Sequence, residues 1–116
     1  MSGAVVAFVP DLLDRSRVSA AAAAASRSIV VARTPEDLVD LATTGATLVV
    51  DLARPGVLEV LGRLGAVTTI GFASHVDAEL IRAARAAGCT RVLARSAFFT
   101  GLAGLLAAPP EPGADR

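Results

Sequence analysis

Few residues of this chain are equipped for chemistry, and their scarcity limits what it can do. There is one histidine, His75, and one cysteine, Cys89, and there is no lysine, so all 11 basic residues are arginine. A lone His and a lone Cys exclude a multi-Cys zinc site, a His cluster and an internal disulfide. Ser74 and His75 stand side by side, but adjacent side chains do not face one another and no orienting acid accompanies them, so a Ser-His nucleophile is not assembled. Cys89 follows Gly88 at the end of an apolar stretch and reads as a small buried hydrophobe. His75 reads as an exposed polar residue at a helix start. Asp51 is different: it closes the apolar run Thr47-Leu48-Val49-Val50 and puts a carboxylate at the end of a buried strand. Arg33, Arg54 and Arg95 fall at comparable positions and could line a rim that binds an anion or a nucleotide. No glycine-rich phosphate loop accompanies them, which favours solvated surface charges.

The elements that must position these groups are legible in the patterning. Val5 to Val9 reads as a buried strand ended by Pro10, and Asp11 as the N-cap of a helix reaching to about Ser26. Ser28 to Ala32 is a second strand. Thr34, Pro35, Glu36 and Asp37 form a helix start, with Thr as cap, Pro in the first turn and acids at the positive end of the dipole. Gly45 is expected to close that helix. Thr47 to Asp51 is the third strand, and a short helix carrying Val57, Leu58, Val60, Leu61 and Leu64 follows Pro55-Gly56. Val67 to Phe72 is the fourth strand. A helix capped by Ser74 or Asp77 then runs to Gly88, Arg91 to Ala94 is the fifth strand, and Phe98 to Ala107 a final helix. Residues 1–108 are expected to form one domain and 109–116 a flexible tail.

Strands alternating with helices, and apolar on both faces, specify an α/β fold with a doubly wound parallel sheet of five strands. Ligands of such sheets sit at the carboxyl ends of the strands. Function is therefore sought at Pro10-Asp11, Arg33, Asp51, Ala73-Ser74 and Arg95-Ser96. Composition narrows the classes. With 53 % hydrophobic and 19 % charged residues in 116, the chain can bury a core. The 11 basic and 11 acidic residues balance, so no basic field draws nucleic acid or a membrane surface. The longest uncharged stretch, Ser96 to Pro110, is too short to span a bilayer. The start of the chain lacks the basic segment of a signal peptide, and a cytoplasmic location is expected.

Over nearly its whole length, about residues 4 to 107, the chain resembles the receiver domain of response regulators, most specifically at two stretches. Leu48-Val49-Val50-Asp51-Leu52-Ala53-Arg54-Pro55-Gly56 is similar to the phosphoacceptor strand, its Asp and the Pro four residues later. Asp77 to Arg95 is similar to the fourth helix, its glycine end and the fifth strand. The likeness implies a sheet in the order 2-1-3-4-5 and makes Asp51 the phosphoacceptor-like residue. The acidic pair of a working receiver falls on Val9 and Pro10, with Asp11 just beyond. The Thr/Ser position falls on Ala73, with Ser74 one residue late; the Lys position falls on Arg95, and the following Pro is Ser96.

These departures have chemical consequences. Mg²⁺ asks for octahedral oxygen ligands, which Val9 and Pro10 do not supply. Ala73 has no hydroxyl to hold a phosphoryl oxygen. Arg95 keeps the charge of the Lys but forks onto carboxylates, so it is expected to pair with Asp51. The implied function is that of a stand-alone pseudo-receiver, a signalling domain that works through protein contact, with no enzyme activity, no catalytic residue, no metal ligand and no cofactor. Its partner would be another signalling protein. A homodimer is expected through the fourth helix, fifth strand and fifth helix, with Arg82, Arg85 and Arg91 facing Asp77 and Glu79 and with Phe99 and Leu102 as the apolar centre. Two alternatives stay open: a phosphorylatable single-domain response regulator that uses Asp51 with Mg²⁺, and a small-ligand or nucleotide sensor on the same fold.

Overall fold

The computed structural model describes residues 3–107; residue 108 and the expected tail 109–116 lie outside the described residues. Five strands, β1 (Val5–Phe8), β2 (Ile29–Val31), β3 (Thr47–Asp51), β4 (Thr68–Ala73) and β5 (Arg91–Ala94), alternate with the helices α1 (Leu12–Ala24), α2 (Pro35–Leu41), α3 (Val57–Leu61) and α4 (Ala78–Ala86). Two short helices, α5 (Arg95–Thr100) and α6 (Leu102–Ala107), follow β5. The strands form one parallel sheet in the order β2-β1-β3-β4-β5, as expected. Register sets Phe8 beside Val50, Asp51 beside Phe72 and Ala73 beside Ala94, so the strand ends form one rim.

The two faces of the sheet follow from strand parity, because successive side chains point to opposite sides. Val6 and Phe8 of β1 enter a core with Leu38 of α2, Val57 and Val60 of α3 and Ala84 of α4. Val5, Ala7 and Val9 enter a second core with Val18 and Ala22 of α1, Phe98 of α5 and Leu102 and Leu106 of α6. Every residue of β1, β3 and β4 is buried, which is why these strands read as continuous apolar runs. Complete burial of a side chain such as Leu38, Leu48 or Phe98 contributes about 1.5–3 kcal/mol.

Local chemistry sets the helix ends. Asp11 caps α1 by accepting from the Asp14 amide at 3.0 Å. Thr34 caps α2 in a capping box with Asp37. Asp77, not Ser74, caps α4; the Ser74 hydroxyl instead accepts from the Val76 amide. Two expectations are corrected. Gly45 does not close α2, which ends at Leu41 because the Thr43 amide turns back to the Leu41 carbonyl; Gly45, at φ +87°, belongs to the next turn. The final helix begins at Arg95 rather than Phe98, directly after β5, and is interrupted at Gly101.

Behind the rim, Leu52 is fully buried and lies across Gly71 of β4, where a Cβ would stand 2.7 Å from Leu52 Cδ2. Gly71 thus seats the residue that follows Asp51. Gly71→Ala is expected to cost about 1–3 kcal/mol in urea denaturation, because the buried Leu52 has no room to retreat.

Candidate functional site

Five charged residues gather at the carboxyl ends of the strands. Asp51, last in β3, is 8 % exposed. Its Oδ1 accepts from the Ala53 amide at 3.1 Å and its Oδ2 from Arg54 Nε at 3.0 Å. Pairing three residues apart in the tight turn after β3 puts a guanidinium directly on the carboxylate. The Arg54 side chain is 41 % exposed, so solvent screens the pair and its contribution to stability is about 1 kcal/mol or less.

Arg95 was expected on Asp51 and is elsewhere. Its Nη2 donates to Asp14 Oδ1 at 2.5 Å. Asp14, 3 % exposed, shares the inward stripe of α1 with Val18 and Ala22, at intervals of four. A carboxylate so buried demands a partner. Arg95, first residue of α5, supplies it from across the sheet end, and the flat guanidinium also lies over Phe99 at 5.0 Å and Phe72 at 5.8 Å. Cation–π contact of this kind suits Arg. The Asp14 hydrogen bond, chiefly, raises the Arg95 pKa, with the charges of Asp14, Asp51 and Asp11 acting in the same direction. Asp11 is exposed; its carboxyl is held below the ordinary 3.8 mainly by the Asp14 amide, with smaller contributions from Arg95 and Arg54.

The structure thus brings Asp11, Asp51 and Arg95 to one rim, with Arg54 and Asp14 between them. Ala73 ends β4, buried and without a hydroxyl, and Ser74 beyond it is exposed with its oxygen engaged by the Val76 amide. The arginine rim does not converge: Arg54 serves Asp51, Arg95 serves Asp14, and Arg33 is exposed at the far edge, beyond β2. His75 is exposed. Cys89 is buried, its thiol pushed up to about 11 by burial and donating to the Thr69 and Arg91 carbonyls. The residue sequence reasoning missed is Asp14. Its signal was the spacing to Val18 and Ala22, weak in a helix whose other residues are mostly alanine.

Mg²⁺ takes an octahedral shell of oxygens, and the three carboxylates of this rim are each already engaged. Both Asp51 oxygens carry donors, the buried Asp14 holds a guanidinium, and Asp11 caps its helix. Among the described residues no three His, Cys, Asp or Glu side chains stand together so as to hold a metal ion.

The interface residues are also rearranged. Leu102, expected at an apolar surface, is 5 % exposed and belongs to the core against α1. The reason is spacing: Phe98, Leu102 and Leu106, four apart, share the inward face of α5 and α6. Phe99 is half-buried between the guanidiniums of Arg17 and Arg95 and the rings of Phe72 and Phe98. Arg82, Arg85 and Arg91 are exposed, and Arg82 pairs with Glu79 within α4.

The fold is that of receiver domains. The chain superposes on the crystal structure of FixJ-N with a TM-score of 0.68 and 20 % identity, over 82 % of this chain and 83 % of that one. It matches a response regulator receiver domain from Rhodospirillum rubrum with a TM-score of 0.70 and 12 % identity, over 90 % and 91 %. It also matches a CheY-like protein, TadZ, from Pseudomonas aeruginosa PAO1, with a TM-score of 0.66 and 20 % identity, over 91 % and 97 %. No family model and no curated protein matches the chain in sequence. Among the described residues no helix is long and apolar enough to cross a membrane.

The two arginines make unequal contributions to stability. Arg95→Met leaves the Asp14 carboxylate buried without its guanidinium and is expected to cost about 2 kcal/mol in urea denaturation, allowing for the partial exposure of Arg95. Arg54→Met breaks a screened pair and is expected to cost about 1 kcal/mol or less.

Proposed function

We propose that this chain is a receiver-fold signalling domain that acts by contact with another protein and does not take up a phosphoryl group at Asp51. The observation supporting this reading is the redistribution of cations. Arg95, at the position where the resemblance puts the Lys of a working receiver, is committed to Asp14, while Asp51 is covered by its own neighbour Arg54. Transfer to a carboxylate needs a free oxygen for attack, and a metal to neutralise charge as the phosphoryl group moves. Each Asp51 oxygen already accepts one hydrogen bond, from the Ala53 amide or from Arg54, and the guanidinium opposes release of the carboxylate charge to an incoming phosphoryl group. The nearby carboxylates Asp14 and Asp11 are engaged by Arg95 and by the Asp14 amide. Incubation with acetyl phosphate and Mg²⁺, followed by intact mass measurement, is expected to leave the mass unchanged. A phosphoryl adduct that disappears in Asp51→Ala overturns the proposal and establishes the phosphorylatable alternative.

The contact surface we assign is the exposed face of α4 with β5. Asp77 and Glu79 at the start of α4 and Arg82, Arg85 and Arg91 further on are all exposed. Opposite charges separated along one face can pair across a two-fold axis when the face meets a copy of itself. With Leu102 in the core, such a dimer lacks an apolar centre and rests on charge. Sedimentation velocity is expected to show a concentration-dependent dimer at low salt that dissociates as salt screens it. A monomer at every concentration in low salt removes the homodimer and leaves a different protein as the partner.

A further inference from the structure

Arg27 has no place in the candidate site and lies at the opposite end of the sheet. It is 5 % exposed, yet among the described residues no carboxylate meets it. Its three nitrogens are held by neutral oxygens: Nε donates to the Gly3 carbonyl at 2.9 Å, Nη2 to Thr47 Oγ1 at 2.9 Å, and Nη1 to the Leu106 carbonyl of α6 at 3.2 Å. A buried cation is costly unless fully hydrogen-bonded. Here the carbonyl end of α6, where the helix dipole is negative, takes the place of an acid.

The position of Arg27 is fixed by the way α1 ends. Ser26 is left-handed at φ 58°, the Ser26 amide bonds to the Ala23 carbonyl at 3.0 Å and the Arg27 amide to the Ala22 carbonyl at 2.9 Å. This is a Schellman motif with Ser where Gly is usual. It aims Arg27 back along α1 towards the neighbouring helix, which packs its Leu102 and Leu106 against the small side chains of α1.

Two arginines therefore tie the two ends of α1 to two successive helices, α5 at the rim and α6 at the base. Arg95, first in α5, reaches Asp14 in the first turn of α1. Arg27, just past the last turn of α1, reaches Leu106 in α6. Between the two pins, α5 ends at Gly101, whose amide closes onto the Ala97 carbonyl before α6 begins. We propose that α5 and α6 form a jointed lever, with α5 seated on the sheet by the buried Phe98 and tied to α1 at the rim by Arg95–Asp14, and α6 packed on α1 and pinned at the base by Arg27–Leu106. Gly101 is the joint, so that release of the rim pin loosens α5 while α6 stays docked. The device links the charge state of the rim to the helix that follows β5, whichever partner or chemistry acts there.

Native-state hydrogen exchange resolved by residue reads this directly, with the β3 and β4 amides as an internal measure of global opening. Asp14→Asn is expected to speed exchange of the α5 amides by about tenfold or more, as loss of a hydrogen bond between charged groups does. The α6, β3 and β4 amides change far less. Arg27→Met is expected to do the converse, loosening α6 and sparing α5. Gly101→Ala fits the space, its Cβ standing 3.5 Å from the Ala97 carbonyl oxygen. It is expected to fuse the segments, so that adding Asp14→Asn then speeds α5 and α6 together. If either single variant speeds α5, α6 and the strand amides alike, the arginines are global staples and the lever is wrong. It is equally wrong if neither helix responds, or if Gly101→Ala leaves the segments independent.

Discussion

A buried carboxylate that must have a cation governs the arrangement of this molecule's rim. Asp14 points inward from α1 in a stripe otherwise made of Val18 and Ala22. An ionised carboxylate in such surroundings loses its hydration, and only a close, well-aligned donor restores the balance. Arg95 is that donor. With its hydrogen bond given to Asp14, Arg95 does not pair with Asp51. The turn after β3 fills the gap locally, with Arg54 folding back over Asp51. Two ion pairs therefore stand at the rim, Arg95–Asp14 and Arg54–Asp51.

This exchange is consistent with the rest of the rim. Val9 is turned into the core, Pro10 offers no side-chain oxygen, and Ala73 ends β4 without a hydroxyl. The proposed function rests on these changes together: positions 9 and 10 carry no side-chain oxygen, β4 ends without a hydroxyl, and Asp51 is paired with Arg54. The scaffold that positions them is unaffected. Strand parity still divides the two cores, the helices still cover both faces, and the sheet keeps the order β2-β1-β3-β4-β5 of the receiver fold.

The fold was legible because its strands are continuous apolar runs and its helices announce their starts. Thr34-Pro35-Glu36-Asp37 becomes a capping box, and Asp11 caps where expected. The site was half legible. Asp51, Ala73 and Arg95 were placed by strand ends, which sequence marks well, but the partner of Arg95 was misassigned. The choice between two carboxylates depends on which is more deeply buried, and a helix rich in alanine does not declare its inward face. Arg27 was illegible for a related reason. Nothing local distinguishes an arginine in a connection that faces solvent from one drawn inward by carbonyls 24 and 79 residues away. Leu102 was misplaced because it lies four residues after Phe98 and so shares the inward face, while Phe99 does not.

The proposed function requires that Asp51, held by Arg54 and the Ala53 amide, takes up no Mg²⁺. Titration of the folded protein with MgCl₂, followed through the backbone amide resonances of residues 51–54, tests it most directly. The account predicts only the small, unsaturated drift of a change in ionic strength, with the Ala53 amide unmoved. A saturable shift at Ala53 and Arg54, abolished in Asp51→Asn, would contradict it.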